Sequence, residues 1–143
     1  MKKELQKVKV TGVYMVNAKN GATPIVFLEN AESKILPIYI GASEAFSIQT
    51  ALENLPYPRP LTHDLIISML KRLESEINMI IIDELSEGIF FARIIVEKNG
   101  EEYEFDARPS DSLALAIRSG APVYVSNEIM KTASVDKKTY DIK

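Results

Sequence analysis

The side chains able to do chemistry gather in two short stretches, Pro58-Arg59-Pro60-Leu61-Thr62-His63-Asp64 and Asp106-Ala107-Arg108-Pro109-Ser110-Asp111-Ser112. Together they hold the only His, two of five Arg and three of six Asp. Each puts an Arg before a Pro, then a hydroxyl and an acid, the make-up of a helix entrance: Pro suits the first turn, Ser or Thr caps it, and an acid favours the positive end of the dipole. Free amides at such an entrance attract phosphate, and a planar Arg can grip it. An Asp at a strand end with another at a helix start can instead offer oxygen ligands to Mg²⁺ or Mn²⁺. With both present, metal-assisted phosphodiester cleavage becomes conceivable, His63 moving a proton. The same residues also read as plain capping groups and an ion-pair network fixing two helix entrances together, with His63 a hydrogen-bonded bystander. Their spacing matches no Walker loop or comparable signature.

Composition narrows the field. The chain has 143 residues, 46% hydrophobic and 26% charged, with 17 Lys+Arg against 20 Asp+Glu and a net charge of −3. That length suits one domain burying about 70% of its unfolded surface. With no Cys, thiol nucleophiles, iron–sulfur clusters and cysteine-based zinc sites are excluded. With one His, HExxH metalloproteases and paired-imidazole mechanisms are excluded. No apolar run reaches the ~18–20 residues of a membrane span, and Met1-Lys2-Lys3-Glu4 leads into no signal-like stretch, so a cytoplasmic domain without membrane contact is expected. The acidic balance argues against wholesale phosphate-driven binding to nucleic acid. No organic cofactor is called for.

The elements that must position the two stretches follow from periodicity. Val8 to Val16 mostly alternates apolar and polar as a strand does. A loop over Asn17 to Thr23, with the hairpin signal Asn20-Gly21, returns the chain through Pro24 to Leu28. Lys34 to Ile40 is a third strand, which Pro37 confines to an edge or bulge. Gly41 then admits a helix with Ala45, Ile48, Leu52 and Leu55 on one face. Three prolines over 56–60 forbid helix. Thr62 is the expected cap of a second helix, with Leu65, Ile66, Met69, Leu70 and Leu73 as its apolar stripe. Ile77 to Leu85 reads as a central strand, and Ile89 to Lys98 pairs with Glu101 to Asp106 across Asn99-Gly100. A two-residue turn there sets Val96 opposite Tyr103 and Ile94 opposite Phe105. Glu101, Glu102 and Glu104 read as a protected strand edge. Pro109 opens a third helix that Gly120 stops; a short strand at Val123–Val125 and a short helix near Asn127–Thr132 follow. The fold class is therefore α+β: two mostly antiparallel three-stranded meanders, each leading into helices, in one compact domain. The domain is expected over residues 1–133, with a frayed polar tail over 134–143.

Several strings carry a family likeness: Leu36-Pro37-Ile38-Tyr39-Ile40-Gly41 with Glu44-Ala45, Arg59-Pro60-Leu61-Thr62-His63-Asp64, Asp106-Ala107-Arg108-Pro109-Ser110-Asp111 with Ala114-Leu115-Ala116 and Arg118, and Ala121-Pro122-Val123-Tyr124-Val125. In these the chain resembles the bifunctional nuclease domain family, from the first strand to Lys131. The resemblance implies a compact α+β domain, usually oligomeric, and, from plant members that carry extra segments, hydrolysis of both DNA and RNA. On the matched positions the expected roles are His63 and Asp64 as catalytic residues, Arg59, Arg108 and Ser110 as phosphate-binding, and Asp106 and Asp111 as ligands of a divalent Mg or Mn ion. Nucleic acid is then the expected partner, alongside a homo-oligomer. The rival expectation is a non-enzymatic ligand- or partner-binding oligomer whose Arg–Asp cluster is structural.

Overall fold

The computed structural model describes residues 4–19 and 21–140. Among them, the first meander is β1 (Leu5–Ala18), β2 (Gly21–Glu29) and β3 (Lys34–Tyr39), followed by helices α1 (Ala42–Leu52) and α2 (Thr62–Arg72). The second is β4 (Glu76–Ser86), β5 (Ile89–Lys98) and β6 (Glu101–Ala107), followed by α3 (Pro109–Ser119). Then come β7 (Val123–Ser126), α4 (Asn127–Ala133), β8 (Val135–Asp136) and a 3₁₀ turn over Lys137–Tyr140. The strands form one mixed sheet, β6-β5-β4-β7-β1-β2-β3-β8. The α+β expectation holds, and β7 explains how the halves join: it pairs antiparallel with β1 and parallel with β4.

Strand alternation builds two faces. Val26, Leu28, Leu36, Ile38, Ile80, Ile82, Ala92 and Ile94 point to the helices and form the main core with Ile48, Leu113 and Leu115. The alternate residues Ile25, Phe27 and Ile35 form a smaller cluster on the other face. Asn99 and Gly100 have φ of 53° and 81°, the paired positive values of a type I′ turn, and the expected register follows: Val96↔Tyr103 and Ile94↔Phe105. β8 pairs with β3 only at Lys34 and Ile35, so the missing N–H of Pro37 costs no ladder bond. Pro109 is the first residue of α3, and Gly120 ends it in the left-handed conformation.

Five expectations need correcting, four in the strands and helices up to α2 and one in the C-terminal stretch. The first hairpin is tighter than a loop over 17–23, since pairing continues to Ala18↔Gly21; Asn20 lies outside the described residues. Leu55 is not on the α1 face: Asn54 turns left-handed (φ 51°), and Leu55, restricted by the following Pro56, donates its N–H back to Thr50. Leu61, not Thr62, occupies the cap position of α2, its N–H taken by the Asp64 carboxylate at 2.9 Å. The α2 stripe is also split. Ile66 and Leu70 pack inward, whereas Leu65, Met69 and Leu73 are exposed, because α2 sits at the margin of the helical layer.

The polar tail is not frayed through Tyr140. Val135 and Tyr140 pack on the second cluster, Tyr140 against Phe27 with ring centroids 4.9 Å apart, and Lys34 pairs with Asp136. Two apolar residues in a polar stretch are enough to dock it. Residues 1–3 and 141–143 lie outside the described residues.

Candidate functional site

Three helices bring their polar residues to one place. Ser47 lies in the middle of α1, His63 is the second residue of α2, and Asp111 is the third of α3. Ser47 Oγ is 2.6 Å from His63 Nδ1, and His63 Nε2 is 2.9 Å from Asp111 Oδ1. The other Asp111 oxygen accepts from Arg108 Nε at 3.0 Å and Nη2 at 2.9 Å, and Arg108 Nη2 also reaches Glu44 at 3.5 Å. The result is a continuous hydroxyl–imidazole–carboxylate–guanidinium chain. It borders a cleft of about 790 Å³ whose wall includes Phe46, Ile66, Ile94 and Leu115.

Burial grades along the chain. Ser47 and His63 are 4% and 6% exposed, while the Arg108 side chain is 65% exposed at the mouth. An ionised carboxylate only accepts, so His63 Nε2–H donates to Asp111; in the neutral ring Nδ1 then accepts the Ser47 proton. Burial pushes the Asp111 carboxyl up, but hydrogen bonds from His63 and Arg108 outweigh it and hold the group below its ordinary value. The hydrogen bond and charge of Asp111 in turn raise the Arg108 guanidinium.

The other helix-entry acid is used differently. Asp64 Oδ1 accepts from Arg118 Nε at 2.7 Å, while its Oδ2 takes the Leu61 amide. The Arg118 side chain is only 9% exposed and donates Nη1 to the Ala114 carbonyl at 3.1 Å. That hydrogen bond from Arg118 is the largest influence lowering the Asp64 pKa. Asp64 and Arg118 border a second cleft of about 520 Å³, roofed by Tyr57, whose ring packs edge-on against Phe46.

The structure thus unites His63, Asp111 and Arg108 and leaves the other expected site residues apart. Arg59 is exposed on the proline-rich loop and makes no ion pair among the described residues. Ser110 is buried and lines a separate groove with Tyr39 and Ile89. Asp106 stands opposite Arg93 on β5, while its neighbour Ala107 borders the His63 cleft, so alternation points Asp106 to the far face of the sheet. Among the described residues no three His, Asp or Glu side chains converge as a metal requires. A resident ion shared by Asp106 and Asp111 does not fit this arrangement.

Ser47 and Glu44 belong to the site without having been singled out for it. The signal for Ser47 was a hydroxyl beside Ile48 on a helix whose apolar face was already counted. Arg118 sits 54 residues from Asp64, and no spacing rule links them.

Fold and site together define a compact α+β domain with a Ser–His–Asp chain that is buried at Ser47 and His63, half-buried at Asp111 and ends in an exposed Arg. The chain belongs to the bifunctional nuclease domain family, whose model matches residues 25–138. An uncharacterized protein of Mycobacterium tuberculosis is 37% identical over 130 residues, covering 90% of this chain and 76% of its own length. Bifunctional nuclease 1 of Oryza sativa subsp. indica is 26% identical over 108 residues, 73% of this chain and 33% of its own. Bifunctional nuclease 1 of Arabidopsis thaliana is 24% identical over 105 residues, 71% and 32% respectively. The chain therefore spans about a third of these plant relatives. Among the described residues no helix is long and apolar enough to cross a membrane.

Proposed function

We propose that this chain hydrolyses phosphodiester bonds of single-stranded or flexible DNA and RNA in the cleft beside His63. The observation that carries this reading is His63 held between Ser47 and Asp111, with an exposed Arg108 attached to the same carboxylate. Arg108 Nη1 carries no hydrogen bond among the described residues and is available to a non-bridging phosphate oxygen. His63 takes the proton of the attacking oxygen and delivers one to the leaving sugar oxygen. Asp111 keeps the ring oriented and stabilises it when charged. Asp64 serves this chemistry indirectly, by fixing the start of α2 against α3. The net charge of −3 is compatible with such a substrate because the phosphate contact is local.

The proposed steps run through His63 and Arg108. Dependence on Mg²⁺ or Mn²⁺ is part of what the assay reads. Purified chain is incubated with end-labelled single-stranded DNA and RNA, with Mg²⁺, with Mn²⁺ or with EDTA. The wild type cleaves above a mock preparation, and His63→Ala loses about 10²–10⁴-fold. Absence of cleavage under all three conditions refutes the reading, and full activity in His63→Ala refutes the site.

A further inference from the structure

We propose that Ser47 is the nucleophile of this site and that hydrolysis passes through a phosphoseryl intermediate. This rests on the phosphodiesterase reading above and adds the identity of the attacking oxygen. The first support is what Ser47 does not do. A buried hydroxyl in a helix ordinarily bonds back to the carbonyl four residues earlier. The buried Thr50 does so to Phe46 at 2.6 Å and the buried Ser112 to Arg108 at 2.9 Å. Among the described hydrogen bonds Ser47 Oγ makes one only, to the imidazole 16 residues away. The second is order: hydroxyl, imidazole, carboxylate is the sequence nucleophile, base, orienting group. Here the ring uses Nδ1 toward the serine and Nε2 toward the acid, which leaves the proton accounting unchanged. The third is access, since Ser47 borders the cleft despite its low exposure.

The step balances with water alone. Ser47 Oγ attacks phosphorus as its proton passes to His63 Nδ1. The Oγ–P bond forms, the bond to the leaving sugar oxygen breaks, and that oxygen takes the proton from Nδ1. Water then attacks phosphorus, giving a proton to Nδ1; the P–Oγ bond breaks and Ser47 recovers its proton. The product is a phosphate monoester.

The test treats the full chain with a fluorophosphonate probe and locates adducts by peptide mass spectrometry. A Ser47 adduct is expected, reduced at least 100-fold in His63→Ala and unchanged in Ser43→Ala, whose hydroxyl borders the same cleft. No adduct on wild-type Ser47, or one indifferent to His63→Ala, overturns the proposal. This readout stands whether or not the chain cleaves nucleic acid. Where it does, a chiral phosphorothioate diester gives a separate answer: retention at phosphorus is expected, and inversion overturns Ser47 as nucleophile while leaving hydrolysis in place.

Discussion

The entrances to α2 and α3 are built from nearly the same residues, an Arg before a Pro, a hydroxyl and an Asp, yet they do different work. At α2 the Asp spends both oxygens on the fold, one on the Leu61 amide and one on the almost fully buried Arg118. At α3 the Asp divides itself between a buried His63 and an Arg108 that stays open to solvent. The motif's own Arg folds back onto its Asp three residues on at α3, whereas Arg59 stands apart from Asp64 at α2. Local composition makes an entrance; the partner that arrives from elsewhere decides whether the acid is tied wholly into the fold or holds a side chain at the cleft.

Breaking each pair separately sharpens this contrast. The largest effect belongs to the α3 side. Arg108→Ala lowers cleavage about 100-fold, the size expected for losing a charge that stabilises the transition state. It shifts the melting temperature by only a degree or two, since exposed pairs are worth about 0–1 kcal/mol. Parallel kinetic and melting assays check both halves of that statement. On the α2 side the effect is on stability. Arg118→Met removes the partner of a carboxylate that is itself 40% exposed, so the loss is below the buried-pair range, about 2 kcal/mol or roughly 6 °C. A melt unchanged within a degree would remove the clamp from this picture.

Acid should act through both entrances. Asp64 and Asp111 are held below their ordinary value of 3.8, so the unfolded chain binds these protons more readily than the folded one. Their stabilisation is present above that value and is lost as pH falls through the folded pKa values. Thermal melts between pH 7 and pH 3 should therefore decline at the acid end, and Arg118→Met should flatten the decline by releasing Asp64. The smallest effect is Arg59→Ala, which leaves the melting temperature within about 0.5 kcal/mol equivalent and lowers cleavage less than Arg108→Ala.

Much of the scaffold was legible because its signals are local. Asn99-Gly100 set a register, Pro109 and Gly120 bracketed α3, and Pro37 marked a strand with a free side. The site was legible in part, since His63, Arg108 and Asp111 stood in conspicuous strings. Ser47 lay in no such string, and Arg118 lay in one without its partner being marked, because each acts on a residue many positions away. Asp106 misled for a related reason: one residue along a strand reverses the face, so Asp106 points away from the cleft that its neighbour Ala107 borders. The outer face of α2 was equally opaque, as apolar periodicity reports a stripe without saying what covers all of it.

The division between the two entrances is tested most directly by cleavage per folded molecule in Asp111→Asn and Asp64→Asn, assayed on one single-stranded oligonucleotide with the folded fraction measured alongside. The predicted result is a loss of about 100-fold or more in Asp111→Asn, against a rate within about threefold of wild type in Asp64→Asn, whose defect is a lower melting temperature. Equal losses in both, or the larger loss in Asp64→Asn, would contradict it.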